Sequence, residues 1–237
     1  MTGASPPTLE ACARCGKPQA LCVCDRITPL ASRTAVLILQ HPQEMDVTLG
    51  TARITELSLP GAVTLRPGLS WPNLAHALGR PDVDPGRWAI LYPHSLPRDL
   101  TIEEQAAPVV VLDRRGERRD LAADPLEGVI VLDGTWAQAK ALWWRNPWMV
   151  KQPRLVLHPK EPSAYGKVRK QPQRGFLSTL EAVGETLVAL GEDAALLASL
   201  KRTFRTLLQR ARDAGATDRA LMPRKVRPPP PPPAAER

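Results

Sequence analysis

Short runs of branched apolar residues recur along the chain and are separated by stretches with helical spacing. The runs have the length of strands and lack the alternation expected of a strand with one solvated face. They predict strands at 34–39, 88–93, 108–113, 129–132 and 154–157. The stretches between them predict helices at about 48–57, 74–78, 136–146, 178–190 and 193–214. Strands that alternate with helices indicate an α/β fold with a mostly parallel sheet.

The run 129–132 leads directly into polar residues with a defined local chemistry. Asp133 stands at the carboxyl end of this strand, and Gly134 lets the chain turn. Thr135 and Gln138 have the spacing of a capping box, which starts a helix. Because ligands of open α/β sheets bind at the carboxyl ends of strands, Asp133 is the candidate catalytic residue. The alternative is that Asp133 only shapes the turn.

Tryptophan is concentrated just after this turn. The predicted helix and the residues that follow it contain Trp136, Trp143, Trp144 and Trp148, in a chain with only two Tyr and two Phe. We predict that most of these rings pack in the core. One or two of them would form a surface on which a nucleobase stacks.

Polar residues also follow the first predicted strand and precede a later helix. His41 and Glu44 come directly after the strand 34–39, at a position comparable to that of Asp133. A histidine in such a place is more often a structural hydrogen-bonding group than a catalyst. Ser178 and Glu181 repeat the capping-box spacing, and a helix start with free backbone N–H groups suits a carboxylate or phosphate.

The composition limits the class of protein further. A chain of 237 residues with 43% apolar residues is long enough for one sizeable α/β domain. It contains no apolar run of membrane-spanning length, and its first residues lack the features of a secretory signal. We therefore expect a cytoplasmic protein, and nothing in the sequence indicates an obligate protein partner. The absence of a glycine-rich dinucleotide motif gives no support to a Rossmann site.

The formal net charge of +8 favours a polyanionic partner, RNA or DNA. Basic residues are concentrated in the segment 160–175, which has no long apolar run. The candidates for phosphate contacts in this segment are Lys167, Arg169, Lys170 and Arg174. The alternative is a flexible, solvated loop.

All four cysteines lie close together near the amino terminus, at Cys12, Cys15, Cys22 and Cys24. Two closely spaced pairs predict four thiolate ligands around one metal ion, and we expect structural zinc because such a closed site leaves no position for catalysis. Two disulfides are disfavoured in a cytosolic protein. The spacing alone does not separate zinc from an iron–sulfur cluster.

These features divide the chain into three parts. Residues 1–30 form the predicted zinc-binding segment, and 31–215 form the catalytic domain. Residues 216–237 read as a disordered basic tail that contains six consecutive prolines and carries no chemistry.

The motifs together resemble those of the DTW-domain proteins, the tRNA-uridine aminocarboxypropyltransferases, which are related to the SPOUT class of knotted RNA-modifying enzymes. Each motif is weak alone, but five in this order are specific. They are the cysteine segment, the turn His41-Pro42-x-Glu44, the turn Leu91-Tyr92-Pro93, the group Asp133-Gly134-Thr135-Trp136, and Arg174 followed by Leu177-Ser178-Thr179-x-Glu181-Ala182. The resemblance does not cover the residues between these motifs or the polyproline tail.

The resemblance implies a SPOUT-like α/β fold with a knotted C-terminal half, S-adenosylmethionine as donor and tRNA as substrate. The family transfers the 3-amino-3-carboxypropyl group of the donor to N3 of a uridine and releases 5′-methylthioadenosine. Asp133 would take the proton from N3 as a general base, or would orient the uracil through its N3–H.

The resemblance also assigns residues to the donor and to the RNA. Donor binding would fall to Leu91, Tyr92, Pro93, Thr135, Trp136, Leu177, Ser178, Thr179 and Glu181. RNA binding would fall to His41, Glu44 and Arg174 in the matching motifs, and the charge of the basic segment adds Lys167, Arg169 and Lys170. Two other functions remain open: a SPOUT-type RNA methyltransferase with the same donor, and a non-catalytic zinc-containing RNA-binding protein.

Overall fold

The computed structural model describes residues 11–91, 107–159, 161–165 and 177–215. Its strands are β1 (Ala35–Gln40), β2 (Val63–Pro67), β3 (Trp88–Leu91), β4 (Val109–Leu112), β5 (Gly128–Asp133) and β6 (Arg154–Leu157). Its α-helices are α1 (Ala52–Ser58), α2 (Leu74–Leu78), α3 (Trp136–Arg145), α4 (Thr179–Ala189) and α5 (Ala194–Asp213). Each predicted strand and helix is present in the described residues, within a few residues of its predicted bounds.

The six strands form one sheet in the order β2-β1-β5-β3-β6-β4. All neighbouring pairs are parallel except β4 and β6, which are antiparallel. The prediction of a mostly parallel α/β sheet is therefore confirmed. The strand β2 was not predicted, because it lies at the edge of the sheet and only its first residue, Val63, is buried.

Helices cover both faces of the sheet, which explains why its strands read as continuous apolar runs. One face packs against α1, α4 and α5 through residues such as Val36, Val129 and Phe204. The other face packs against α2 and the segment after α3 through residues such as Leu37 and Ile130. Burial on both faces holds the strand ends in fixed positions, and a site at those ends is therefore rigid.

The helix starts agree with the predicted capping boxes. Thr135 caps α3 together with Gln138, and Ser178 caps α4 together with Glu181. The first helix is shorter than predicted and begins at Ala52. The residues before it form tight turns instead, with the N–H of Val47 donating to the carbonyl of Glu44 and the N–H of Gly50 donating to that of Val47.

The cysteine segment packs against the domain through α5. Arg210 donates two hydrogen bonds to the carboxylate of Asp25, at 2.9 and 2.8 Å, and these bonds lower the pKa of Asp25 to about 2. The hydroxyl of Thr203 donates to the carbonyl of Arg26, and Leu21, Val23 and Ile27 join the apolar core. The segment is therefore part of the same folded unit as the sheet.

Some expectations fall outside this description. The knot predicted for the C-terminal half involves a region in which residues 166–176 lie outside the described residues, and it stays a prediction. The predicted tail at 216–237 lies outside them too. Within the described part of the chain, none of the helices has the length and apolar character needed to cross a membrane.

Candidate active site

The parallel register of β1 and β5 determines where the site lies. Gln40, the last residue of β1, is the direct partner of Asp133, the last residue of β5. The side-chain amide of Gln40 donates a hydrogen bond of 2.8 Å to Oδ2 of Asp133. Asp133 is only 6% exposed, so this bond holds a nearly buried carboxylate in one orientation.

The second oxygen of Asp133 is held by the start of α4. The hydroxyl of Thr179 donates to Oδ1 of Asp133. The backbone N–H of Leu180 donates to the hydroxyl oxygen of Thr51 at 3.2 Å, which ties α4 to the chain just before α1. An ionised carboxylate has about four acceptor positions, so the two bonds leave Asp133 able to accept from a substrate.

Glu181 uses its carboxylate differently. Its Oε2 accepts from the N–H and hydroxyl of Ser178 and from the hydroxyl of Ser163, at 2.6 to 2.9 Å. Its Oε1 accepts from the N–H of Ala164 at 2.8 Å. With 2% exposure and four protein donors, Glu181 fastens the segment 163–165 to the start of α4.

The start of α4 offers fewer free donors than the sequence indicated. The N–H groups of Ser178, Leu180 and Glu181 already donate to Glu181, Thr51 and Ser178 respectively. A helix start binds an anion through such N–H groups, and most of those at this helix have acceptors within the protein.

His41 follows β1 directly and lies beside Asp133, and Glu44 ends the turn that His41 begins. The N–H of His41 donates to the carbonyl of Asp133 at 2.9 Å, and its Nδ1 accepts from the N–H of Gln43 at 3.3 Å. Glu44 is 5% exposed and ends the short 3-10 turn that His41 starts. The structure therefore gives His41 the structural, turn-capping contacts that the sequence favoured.

Gly134 is required for close packing rather than for an unusual backbone angle. A Cβ atom at this position would lie 2.9 Å from Cβ of Gln138 and 3.5 Å from Cβ of His41. The chain bends at Gly134 as predicted, without a positive φ. The turn after β5 can therefore lie this close to the first turn of α3 only without a side chain at position 134.

The tryptophans divide into packed and exposed rings. Trp88 is fully buried, and Trp71, Trp143 and Trp148 pack partly against the same core. Trp136 is 37% exposed and Trp144 is 72% exposed. Of the four rings at and after α3, the two exposed ones agree with the predicted surface, but only two rather than most pack on the core.

The other predicted site residues either lie at the strand and helix ends around Asp133 or fall outside the described residues. Leu91 is half-buried at the end of β3, and Leu177 is half-buried just before α4. Thr135 is exposed at the start of α3. Tyr92, Pro93, Lys167, Arg169, Lys170 and Arg174 lie outside the described residues, so their assignments stay predictions.

Gln40, Thr51 and Ser163 are site residues that sequence reasoning missed. Gln40 is a polar residue that ends an apolar run, directly before His41, and this position was the available signal. Thr51 and Ser163 carry no comparable signal, because their partners are far away in the sequence.

The four cysteine sulfurs form a compact cluster. All lie within 4.8 Å of one another, and the pairs Cys12–Cys24 and Cys15–Cys22 are 3.8 Å apart. Zinc with tetrahedral bonds of about 2.3 Å sets its sulfurs about 3.8 Å apart. A disulfide requires about 2.05 Å, so all four are free thiols arranged as metal ligands.

The pKa values of the thiols are shifted in opposite directions. Backbone N–H groups of Cys15 and Arg14 hydrogen-bond to Cys12 and lower its pKa to about 6. Burial raises the pKa of Cys24. The turn between them depends on Gly16, whose φ of +71° is readily adopted by glycine.

The fold and the site define a class: α/β proteins with a helix-covered, mostly parallel sheet and a hydrogen-bonded carboxylate at its carboxyl edge. The DTW domain family matches residues 9–212. The chain belongs to the DTW-domain family.

Three similar proteins carry the same name. A Drosophila melanogaster protein named tRNA-uridine aminocarboxypropyltransferase 2 is 31% identical over 220 residues, which cover 91% of this chain and 80% of that protein. Proteins of the same name from Macaca fascicularis and Mus musculus are 26% and 28% identical over 83% of this chain. The chain spans 61% of the length of each of these two. No solved structure is a significant match.

Proposed function

We propose that this chain is a tRNA-uridine aminocarboxypropyltransferase that uses S-adenosylmethionine as donor and N3 of a uridine as acceptor. The proposal is supported by family membership and by the name that three similar proteins share. The structural observation that carries it is the buried Asp133, fixed by Gln40 and Thr179 with acceptor positions to spare.

The reaction requires a proton acceptor next to N3 of the uridine. N3 loses its proton, and its electron pair forms a bond to the terminal carbon of the aminocarboxypropyl group. The bond from that carbon to sulfur breaks, its electrons stay on sulfur, and 5′-methylthioadenosine leaves. Asp133 accepts the N3 proton, or accepts a hydrogen bond from N3–H and thereby orients the uracil.

The donor would bind along the carboxyl edge of the sheet, between the ends of β3 and β5 and the start of α4. Thr135, Trp136 and Thr179 border this edge, together with the proposed donor residues Leu91 and Leu177. The negative charge of Asp133 suits the positive sulfonium of the donor. Ser178 and Glu181 support this edge through their mutual hydrogen bonds, and we assign them a positioning role.

The tRNA would approach over the turn after β1 and the basic loop. His41 lies beside Asp133 and Glu44 in the turn that follows it, and Lys167, Arg169, Lys170 and Arg174 are proposed to contact phosphates. The net charge of +8 supports a polyanionic substrate.

The cysteine cluster would hold structural zinc. Four thiols at tetrahedral spacing match the ligands and geometry that zinc prefers. The ion would stabilise the segment that packs on α5 and would take no part in transfer.

Transfer by the purified protein tests this function. Unmodified tRNA is incubated with S-adenosylmethionine that carries label either in the aminocarboxypropyl group or in the methyl group. We expect only the first label in tRNA, on a uridine heavier by one aminocarboxypropyl group. Methyl label in tRNA would instead identify a methyltransferase, and tRNA binding without either label would identify a non-catalytic binder.

A further inference from the structure

Helix α3 presents two tryptophans and a lysine to solvent on one side. Trp144 is 72% exposed, Trp136 is 37% exposed, and Lys140 between them is exposed as well. Their spacing of four residues places them on one side of the helix over about 12 Å. We call Trp136, Lys140 and Trp144 the aromatic strip.

The packing of the core does not account for the exposed ring of Trp144. On its other side, α3 buries Ala139 and Leu142 against the domain. The neighbouring ring of Trp148 packs on the core and donates from its indole N–H to the carbonyl of Trp71 at 2.9 Å. A lysine or glutamate at position 144 would keep α3 helical without exposing a large apolar ring. Helix formation therefore does not explain this tryptophan, whereas contact with a ligand would.

The charge around the strip indicates what that ligand is. Between residues 134 and 159 the chain contains Lys140, Arg145, Lys151 and Arg154 and no acidic residue. Lys140, Arg145 and Lys151 are exposed. Flat rings and cations on a helix without acidic residues suit a ligand with flat rings and negative charges, which describes unpaired nucleotides.

The position of the strip fits such a ligand. Thr135 caps α3 two residues after Asp133, so the helix leads away from the proposed reaction centre. We propose that the aromatic strip carries the RNA substrate away from the reaction centre: Trp144 stacks on an unpaired base, Lys140 contacts the adjacent phosphate, and Trp136 borders the donor at the other end of the strip. This inference rests on the proposed function for the identity of the RNA as tRNA, but not for the binding itself.

The test measures RNA affinity rather than transfer. Trp144→Ala in the full chain is compared with wild type for binding of single-stranded oligouridine, duplex RNA of the same length and unmodified tRNA. Loss of one stacked base weakens binding about 5- to 150-fold, so we expect that loss for oligouridine and tRNA. Trp144→Phe should retain part of the affinity. Lys140→Ala should reduce the slope of log RNA affinity against log salt concentration by about one unit.

Val150→Ala is the matched control, because Val150 is also apolar and 52% exposed but has no ring. We expect it to bind RNA like wild type, and all variants to melt like wild type. Unchanged oligouridine and tRNA affinity for Trp144→Ala overturns the proposal, as does an equal loss for Val150→Ala. Wild-type transfer is measured on the same preparations. If the wild-type protein shows no transfer but Trp144→Ala still weakens RNA binding, the proposed function is refuted and RNA stacking on the aromatic strip is supported.

Discussion

Asp133 and Glu181 are two nearly buried carboxylates that the same chemical change should affect in opposite ways. Replacing each by its amide, as Asp133→Asn and Glu181→Gln, keeps the size and removes the charge. The outcomes differ because the hydrogen-bond donors around the two groups differ. Comparing them separates a chemical role from a structural one.

The environment of Asp133 can accept an amide. The carbonyl oxygen of an asparagine can face the amide of Gln40, which donates to Oδ2 in the wild type. Its NH2 group then faces the hydroxyl of Thr179, which can rotate to accept. Since both partners remain satisfied, we expect a loss of stability below about 1.5 kcal/mol. Transfer should nevertheless fall roughly 10²-fold or more if Asp133 is the general base.

The environment of Glu181 cannot accept an amide. Its Oε2 faces the N–H of Ser178 and its Oε1 faces the N–H of Ala164, and neither backbone donor can turn into an acceptor. A glutamine must therefore point its NH2 group at one of them. Leaving such groups unsatisfied in a buried site costs about 3 kcal/mol. For a chain of this size that cost lowers the melting temperature by roughly 6 to 12 °C.

Single-turnover transfer, donor affinity and thermal melting are measured for both variants and wild type. We expect Asp133→Asn to lose rate at nearly unchanged melting temperature and donor affinity, because the loss is felt mainly in the transition state. Near wild-type transfer by Asp133→Asn would refute the catalytic assignment and turn attention to His41 and Glu44. Equal losses of melting temperature in the two variants would show that Asp133 is a turn residue.

Purified protein should contain about one zinc per chain, and Cys15→Ser should lower both metal content and melting temperature while leaving donor affinity unchanged, because a closed thiolate site contributes to folding. Disulfides in freshly prepared protein would contradict this. Replacing Lys167 and Lys170 by alanine should flatten the salt dependence of tRNA affinity by up to about two units, whereas an unchanged slope would exclude phosphate contacts. Burial of Glu192 opposes ionisation, but hydrogen bonds from Thr34, Arg33 and Ser32 outweigh it and lower its pKa. Its stabilising effect is thus fully present above the ordinary glutamate pKa and is lost as the pH falls through the lowered pKa of the folded state, and an acid titration should show a smaller loss in Glu192→Gln than in wild type.

The sequence by itself determined the features that depend on residues close together in the chain. The capping boxes at Thr135 and Ser178 need only a partner three residues away, and both form. The buried strands follow from continuous apolar runs, and the cysteine cluster follows from spacing within one short segment. The position of Asp133 at a strand end was readable for the same reason.

Only the tertiary structure decided what surrounds that carboxylate. Gln40 lies 93 residues from Asp133, and Thr179 lies 46 residues from it. The register of β1 with β5 and the docking of α4 bring them together, and no local pattern specifies either. The exposure of Trp144 beside the half-buried Trp143 was likewise settled by the direction in which α3 faces the sheet. Such outcomes depend on the summed packing of distant apolar faces, which a linear pattern does not contain.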